Sequence, residues 1–582
     1  MPDYDRPVQE FGAYFRDQNE RLVTDYFENL VKQSGVDEHI NIQTVHEFNT
    51  LEEGESVVLK KLGRWKFALI SCIGIATISG LALFGRYWFM LIPLTGSLAF
   101  IFSKVNKTIS GLNQEVSKLT SVKEEKLQEA WDQVAPLNQL YNWGLAQKFF
   151  QETIPAIKFE PFMSRKTLLD LQETYGLSDA FNDCRSVLDT EAGHFRGNPF
   201  ALTRYLTHWI GSKTYRGSIV IYWEREVENE QGDLVTIRES QVLRASLTKP
   251  YPQFGVRETL IYGHEAADQL TFTRQPSNLS GLEEGFINNM RKNKAMKNIE
   301  NQARSQLQQG TGDLTVMANK EFETLFSATD RDNEVQFRML FTPLAQQEMV
   351  NVLNDKTVGY GDDFRFLKCG GVTFIEPAHL SGLSFDSNPN IFKSFDIVRA
   401  RSSFKEFHTG YFKALYFAFA PIFTIPLYLD HRSVPLANKA TRDGEPSFWE
   451  HEAIANYIGY QEFQHPSAIT QSLMKTKTGK TRDGRSVVTV TALSYKGVER
   501  VDYISVHGND GYWHDVPVTW TEYLPVTNDS TIAVEVLSTD PSEEVPNSDT
   551  YRASISQFMS KYNQSEENIF LRKGLAATFL SR

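Results

Sequence analysis

Two uncharged apolar runs separated by a short link constrain this chain more than any other feature. Phe67 to Phe84 (FALISCIGIATISGLALF) holds no charged side chain, and Trp88 to Ser103 follows after Gly85, Arg86 and Tyr87. At about 1.5 Å rise per residue the first run makes a helix of roughly 27 Å, close to the hydrocarbon thickness of a bilayer. The second reaches a full crossing when Lys104 extends its ammonium group toward headgroups. So short a link turns the second helix back along the first. The pattern predicts a two-span transmembrane hairpin over 65–105, in which Ala68, Cys72, Ala76 and Gly80 form a stripe of small residues packed near Gly96 and Ala99. Lys60, Lys61, Arg64 and Lys66 precede the hairpin and Lys104 and Lys107 follow it, whereas the link holds only Arg86. By the positive-inside bias, the expectation is a multi-pass protein of the cell membrane, with the lipid bilayer as a partner and both termini and most of the chain cytoplasmic.

The rest of the chain must fold as more than one domain, because a single core seldom grows past about 250 to 300 residues and this chain has 582. With 41% hydrophobic and 12% aromatic residues it has ample core material. The net charge of −12 argues against a nucleic-acid partner, which calls for concentrated Lys and Arg. Cys72, Cys184 and Cys369 are odd in number and far apart, a pattern of core residues rather than of disulfides or a zinc site.

Ahead of the apolar runs, Phe11, Phe15, Leu22, Tyr26 and Leu30 recur at helical spacing, with Gly35 as a stop. The region 1–64 is therefore expected to be amphipathic helix. Beyond the runs, Val105, Ile109, Leu112, Val116 and Leu119 step by four and three, a short coiled-coil seam within a juxtamembrane helix over 106–150. The seam meets Lys123 and Lys126, so it packs within the chain or offers a limited surface for self-association or a protein partner. Over 151–400 the grammar is mixed. Ser218 to Val227 and Leu234 to Leu247 alternate around a Gly232-Asp233 turn, a basic helix covers about 285–309, a strand is expected at Val335 to Phe341, and Pro343 to Leu353 reads as helix. A second hairpin turns at Gly370-Gly371. The overall class is α+β with antiparallel sheets.

Over 401–527 a β-rich α+β domain is expected. Ala414 to Leu429 is uncharged but short for a span and contains Pro421 and Pro426, so it reads as a core helix running into a strand. The tetrapeptide TRDG occurs at 441–444 and 481–484 as two turns. The segment 528–582 reads as a polar linker through Ser548, then an amphipathic segment with Ile555, Phe558 and Tyr562.

Several fragments imitate catalytic motifs. Lys477-Thr478-Gly479 matches a KTG box, and Ser402 to Lys405 and Ser472 to Lys475 match SxxK, but no SDN box accompanies them. Gly479-Lys480-Thr481 resembles the end of a phosphate-binding loop, yet Met474 stands where the tight turn needs glycine. Glu450, His451 and Glu452, with His465, supply metal-ligand types outside the HExxH register. Asp362 and Asp363 near Lys368, together with Asp330, Asp332 and Glu334, offer carboxylates for a two-metal hydrolase without a fixed third ligand. No coherent catalytic set, metal site or cofactor site emerges.

The residues Phe322-Glu323-x-x-Phe326, then Asp330 to Glu334, then Phe337-Arg338-x-Leu340-x-Thr342-Pro343 resemble an uncharacterised bacterial two-span membrane protein family related to proteins found alongside LemA. The resemblance covers about 60–375, differs in spacing before Thr342-Pro343, and has no counterpart after about Ser394. It implies a polar N-terminal helix, two spans and a cytoplasmic α+β domain, and no catalytic residue. The expected function is a membrane-anchored scaffold or interaction protein, with a membrane-bound metal-dependent hydrolase or nuclease as the alternative.

Overall fold

A computed structural model describes every residue except 1–3, 85–94, 96–98, 101–103, 229–232, 283–284, 311–313, 384, 386–387, 433–443, 481–485, 538–548 and 582. The chain divides into two compact units, one made of 1–19, 144–387 and 410–582, the other of 20–143 and 388–409.

The first unit is built on two antiparallel sheets. In the larger, the strands β1 (Ile157–Phe159), β2 (Arg185–Phe195), β3 (Asn198–Glu228), β4 (Leu234–Gly263), β5 (Thr271–Arg274), β6 (Phe364–Cys369) and β7 (Val372–Pro377) lie in the order β1-β2-β3-β4-β7-β6-β5. The smaller has β8 (Leu473–Lys480), β9 (Ser486–His507), β10 (Trp513–Val536), β11 (Phe570–Arg572) and β12 (Leu575–Ser581) in the order β11-β12-β10-β9-β8. The helix Phe448–Ile458 packs against both sheets. It opens at Ser447, whose hydroxyl accepts from the Glu450 N–H, the usual way of satisfying an orphan donor of a first turn. Trp449 and Ala453 face the core of the larger sheet with Leu171, Val187, Ala201 and Ile261. Ile454 and Ala455 face that of the smaller with Met474, Val488, Val490 and Ile532. A helix apolar on opposite faces is one that two layers bury.

Three segments depart from the sequence expectation. Residues 335–341 form the helix Glu334–Leu340 rather than a strand, opened by Asn333, whose side chain accepts from Gln336 N at 3.1 Å. The uncharged stretch from Ala414 continues the helix Ile397–Phe423 and ends in a single 3-10 turn, Pro426–Leu429, with no strand. Pro421 lacks the N–H that would bond to the Phe417 carbonyl, and the helix ends two residues later at Phe423. Asn528 to Val536 belong to β10 rather than to a linker; the rest of the expected linker, 538–548, lies outside the described residues, as do Gly232 and most of both TRDG segments.

In the second unit a single helix, Glu38–Phe84, runs antiparallel to Asn106–Asn138. Val105 is buried and Ile109, Leu112, Val116 and Leu119 are half-buried. Lys123 pairs with Glu55, and Lys126 with Glu47 at 2.9 Å. The two lysines that interrupt the seam are thus its polar continuation. Asn41 ties the pair to the 388–409 segment, donating to Phe395 O at 3.0 Å and accepting from Ile397 N at 3.1 Å.

This arrangement corrects the membrane expectation. Among the described residues no helix is long and apolar enough to cross a membrane. The first apolar run is the end of a helix, Glu38–Phe84, whose earlier turns are polar. The second run lies outside the described residues except for Thr95, Ala99 and Phe100, as do Gly96 and the side of Gly80. Ala68, Cys72 and Ala76 are half-buried; Ala99, Lys60, Lys61, Arg64, Lys66, Lys104 and Lys107 are exposed. The two-span anchor, the transmembrane class and the multi-pass cell-membrane localisation are withdrawn, while the α+β class with antiparallel sheets stands.

Candidate functional site

A cavity of about 790 Å³ opens in the first unit between Arg165 and Leu168 of the helix Arg165–Glu173, Phe448 and His451, Thr478 of β8, and Val534 of β10. It joins two fragments that the sequence left apart, the acidic-histidine triplet and the KTG box. His451 Nδ1 lies 3.1 Å from Thr478 Oγ1. Burial pushes the imidazole down to about 4, against the opposing pull of Glu445, so the ring is neutral near pH 7.

Successive residues of a helix point about 100° apart, which sends the neighbours of His451 elsewhere. Glu450 accepts from Met163 N at 2.8 Å, and Glu452 from Val187 N at 3.0 Å. Lys475 binds the Arg185 carbonyl and Glu452. His465 bonds locally to Ser467 at 2.8 Å, and Lys405 pairs with Glu20 at 2.6 Å. Thr481 lies outside the described residues.

The acidic candidates are likewise occupied. Asp362 pairs with buried Arg274 and accepts from Ser277 N and Ser280 Oγ. Asp363 accepts from the His379 N–H at 2.9 Å and lies 2.6 Å from its Nδ1. Asp330 and Asp332 accept the backbone N–H groups of Thr273 and Thr271 and so seal the outer edge of β5, a common way of protecting an edge strand. Glu334 and Glu323 hold buried Arg331 at 2.6 and 2.8 Å. Lys368 donates to Gly370 O at 2.6 Å, and burial takes its pKa down to about 8. Among the described residues no group of three or more His, Cys, Asp or Glu is placed to hold a metal.

One cluster had no sequence signal, because its members are hundreds of residues apart. The β11–β12 turn carries Arg572 and Lys573 into the core, where Asp189 and Glu191 of β2 and Glu450 are buried. Lys573 Nζ reaches Asp189 at 2.9 Å, Thr190 O at 3.0 Å and Glu191 at 2.6 Å, and Arg572 pairs with Asp189 and, at 3.4 Å, with Glu450. Three carboxyls thus meet two cations. Burial raises the Glu191 pKa to about 7 although Lys573 opposes it, and burial likewise raises that of Glu450. For Asp189 the pull of Arg572 and Lys573 outweighs burial and keeps the carboxyl below its usual range.

A second surface comes from the two longest hairpins. The pairing of β2 with β3 ends at Thr207, yet β3 and β4 continue together to Glu228 and Leu234, about 70 Å further at 3.3 Å per residue. The β9–β10 hairpin likewise continues past β8, whose pairing ends at Leu493. The two overhangs stack into a two-layer arm. Ile221, Leu243 and Ala245 meet Val516 and Val518, and a Cβ on Gly217 would lie 2.0 Å from Pro517 O, so the backbones touch there. Lys249 pairs with Asp502 at 2.8 Å, and Asn509 N donates to Gln241 at 2.8 Å. The outward side of the second hairpin bears Tyr503 and Trp513, 67% and 71% exposed, with His507 5.4 Å from the Trp513 ring; Tyr512, 70% exposed, stands in the turn between the strands.

No known protein family, curated protein or solved structure matches the chain.

Proposed function

We propose that this chain is an interaction protein, a scaffold that holds an apolar extended segment of a protein partner on the aromatic outer side of the β9–β10 hairpin. One observation carries the reading: a two-layer arm presents Trp513, Tyr503 and Tyr512 to solvent, and such side chains dominate binding energy at protein interfaces while losing little rotamer freedom. The carboxylates a hydrolase would need are instead spent on backbone and guanidinium partners. A photo-crosslinking residue at Thr519, on the same outer side, should yield one discrete protein adduct in cells. That adduct should disappear in the Trp513→Ala/Tyr503→Ala variant; no adduct, or one indifferent to the variant, removes the proposal.

The Thr478–His451 pair favours a second reading, acyl transfer at the cavity, since a neutral base within hydrogen-bond reach of a hydroxyl is how such nucleophiles are activated. Release of nitrophenol from acyl esters, lost in both Thr478→Val and His451→Gln, would establish it. Equal rates in the parent and both variants assign the pair to structure alone.

A further inference from the structure

The first hairpin of the arm has an outward side of its own, and its pattern differs from the aromatic one. From the sheet toward the tip, the cross-strand rows read Arg216 and Ser246, Ser218 and Arg244, Val220 and Val242, Tyr222 and Ser240, Glu224 and Arg238, then Glu226 and Thr236. All are exposed, while the intervening Ile219, Ile221 and Leu243 face the second hairpin. Arg216 and Arg244 lie on the sheet side of the Val220–Val242 row, and Glu224 and Glu226 on the tip side, where Arg238 stands across from Glu224. Val220 and Val242 are each 51% exposed, and Tyr222 61%.

We infer that this face pairs with the same face of a second copy of the chain. A two-fold axis in the plane of contact, across the strands at the Val220–Val242 row, sets sheet end over tip. Each valine then meets its own counterpart, and Arg216 of one copy faces Glu224 of the other at both ends, as an isologous interface requires. The ribbon from Ser212 to Glu228 is about 55 Å long and about 10 Å wide, so it offers roughly 500 Å² per copy, at the lower end of specific interfaces. A weak, salt-sensitive dimer follows, one that gives the scaffold two aromatic faces per assembly.

Sedimentation velocity on the full chain over a concentration series tests this. The parent chain is expected to approach twice its monomer mass. Arg216→Glu and Glu224→Arg should each weaken association by on the order of tenfold, because each sets like charges together at both ends. An equimolar mixture of the two variants should restore association. In the mixed pair the introduced glutamate of one copy meets the introduced arginine of the other, and the unaltered Arg216 meets the unaltered Glu224. A parent chain that stays monomeric, a dimer indifferent to both reversals, or a mixture no tighter than its components overturns the inference. Trp513→Ala/Tyr503→Ala should leave this dimer intact, so failure of partner binding and failure of self-pairing are told apart.

Discussion

Five ionisable side chains, Asp189, Glu191, Glu450, Arg572 and Lys573, share one buried space, and their sum matters more than any pair. Burying charges costs several kcal/mol each, offset only while every partner is present. Lys573→Met should therefore lower stability by about 3 to 5 kcal/mol, read from the urea midpoint, because Asp189 and Glu191 lose their shared cation. A loss below about 1 kcal/mol would mean that water reaches the cluster. The pH response has a definite sign. The folded pKa of Glu191 stands near 7 against an ordinary 4.5, so the native state holds the proton more tightly than the unfolded one. Its contribution is fully present below 4.5 and lost as pH rises to about 7. His451, lowered to about 4 from 6.5, works the other way; its contribution is present above 6.5 and lost as pH falls toward 4. Between pH 4.5 and 6.5 the two oppose. Glu191→Gln should leave a midpoint that climbs more steeply with pH across that window, whereas His451→Gln should leave one that climbs less; identical profiles in the parent and both variants would refute the assignment.

At the scale of elements, what the sequence made legible was whatever kept one period over one face. Ser218 to Val227 and Leu234 to Leu247 alternate cleanly and form the arm's first hairpin, although its true extent, Asn198 to Gly263, was hidden because the strand bases are buried on both faces and do not alternate. The second hairpin was harder. Pro517 and Pro525 interrupt β10, which is tolerable only because, at Tyr503 and Tyr495, the pairing is two-stranded and an outward N–H can be spared. The polar run from Asn528 resembled a linker, yet Asp529 accepts from Thr491 Oγ1 at 2.6 Å and Asn528 donates to Phe463 O at 2.9 Å. The helix Glu334–Leu340 replaces the expected strand, and Phe322 and Phe326, then Phe337 and Phe341, stand four residues apart with rings packed at 4.8 to 5.2 Å. That helical signal was outweighed by the β-prone composition of so short a segment. Because the two hairpins touch at Gly217, Gly217→Val should part them locally. Amide exchange should accelerate at Ile219 to Trp223 and Val516 to Val518, while the Phe448–Ile458 helix keeps its protection; unchanged exchange in the arm would show that it is not held by stacking.

Across the whole chain, the decisive contacts join segments that sequence order keeps apart. The same separation explains why the candidate site was only half legible. His451 and Thr478 were each noted as fragments, but their meeting depends on β8 pairing beside the Phe448–Ile458 helix, which no local pattern specifies. The buried cluster was invisible for the same reason, since β2 and the Phe448–Ile458 helix supply its carboxylates and the β11–β12 turn its cations. That turn belongs to β11 and β12, of which β12 pairs with β10 from Thr531 to Val536 and contributes Leu575 and Ala577 to the core of the smaller sheet. A chain ending at Leu537 loses an edge of that sheet, the Leu575 and Ala577 side chains of its core, Phe558, Tyr562 and Ala576 of a second buried cluster, and both cations at once. Three carboxyls would remain buried without a counterion, a cost that rivals the roughly 5 to 15 kcal/mol by which domains of ordinary size are stable. Such a chain should show no cooperative thermal transition in the first unit. Residues 549–582 supplied as a separate segment should restore the transition, because they bring back the edge and the charges together, whereas the same segment carrying Arg572→Met and Lys573→Met brings back only the edge and should fail. A truncated chain that melts at the parent temperature, or rescue by the uncharged segment, would place the stabilising role in strand pairing rather than in the buried ions.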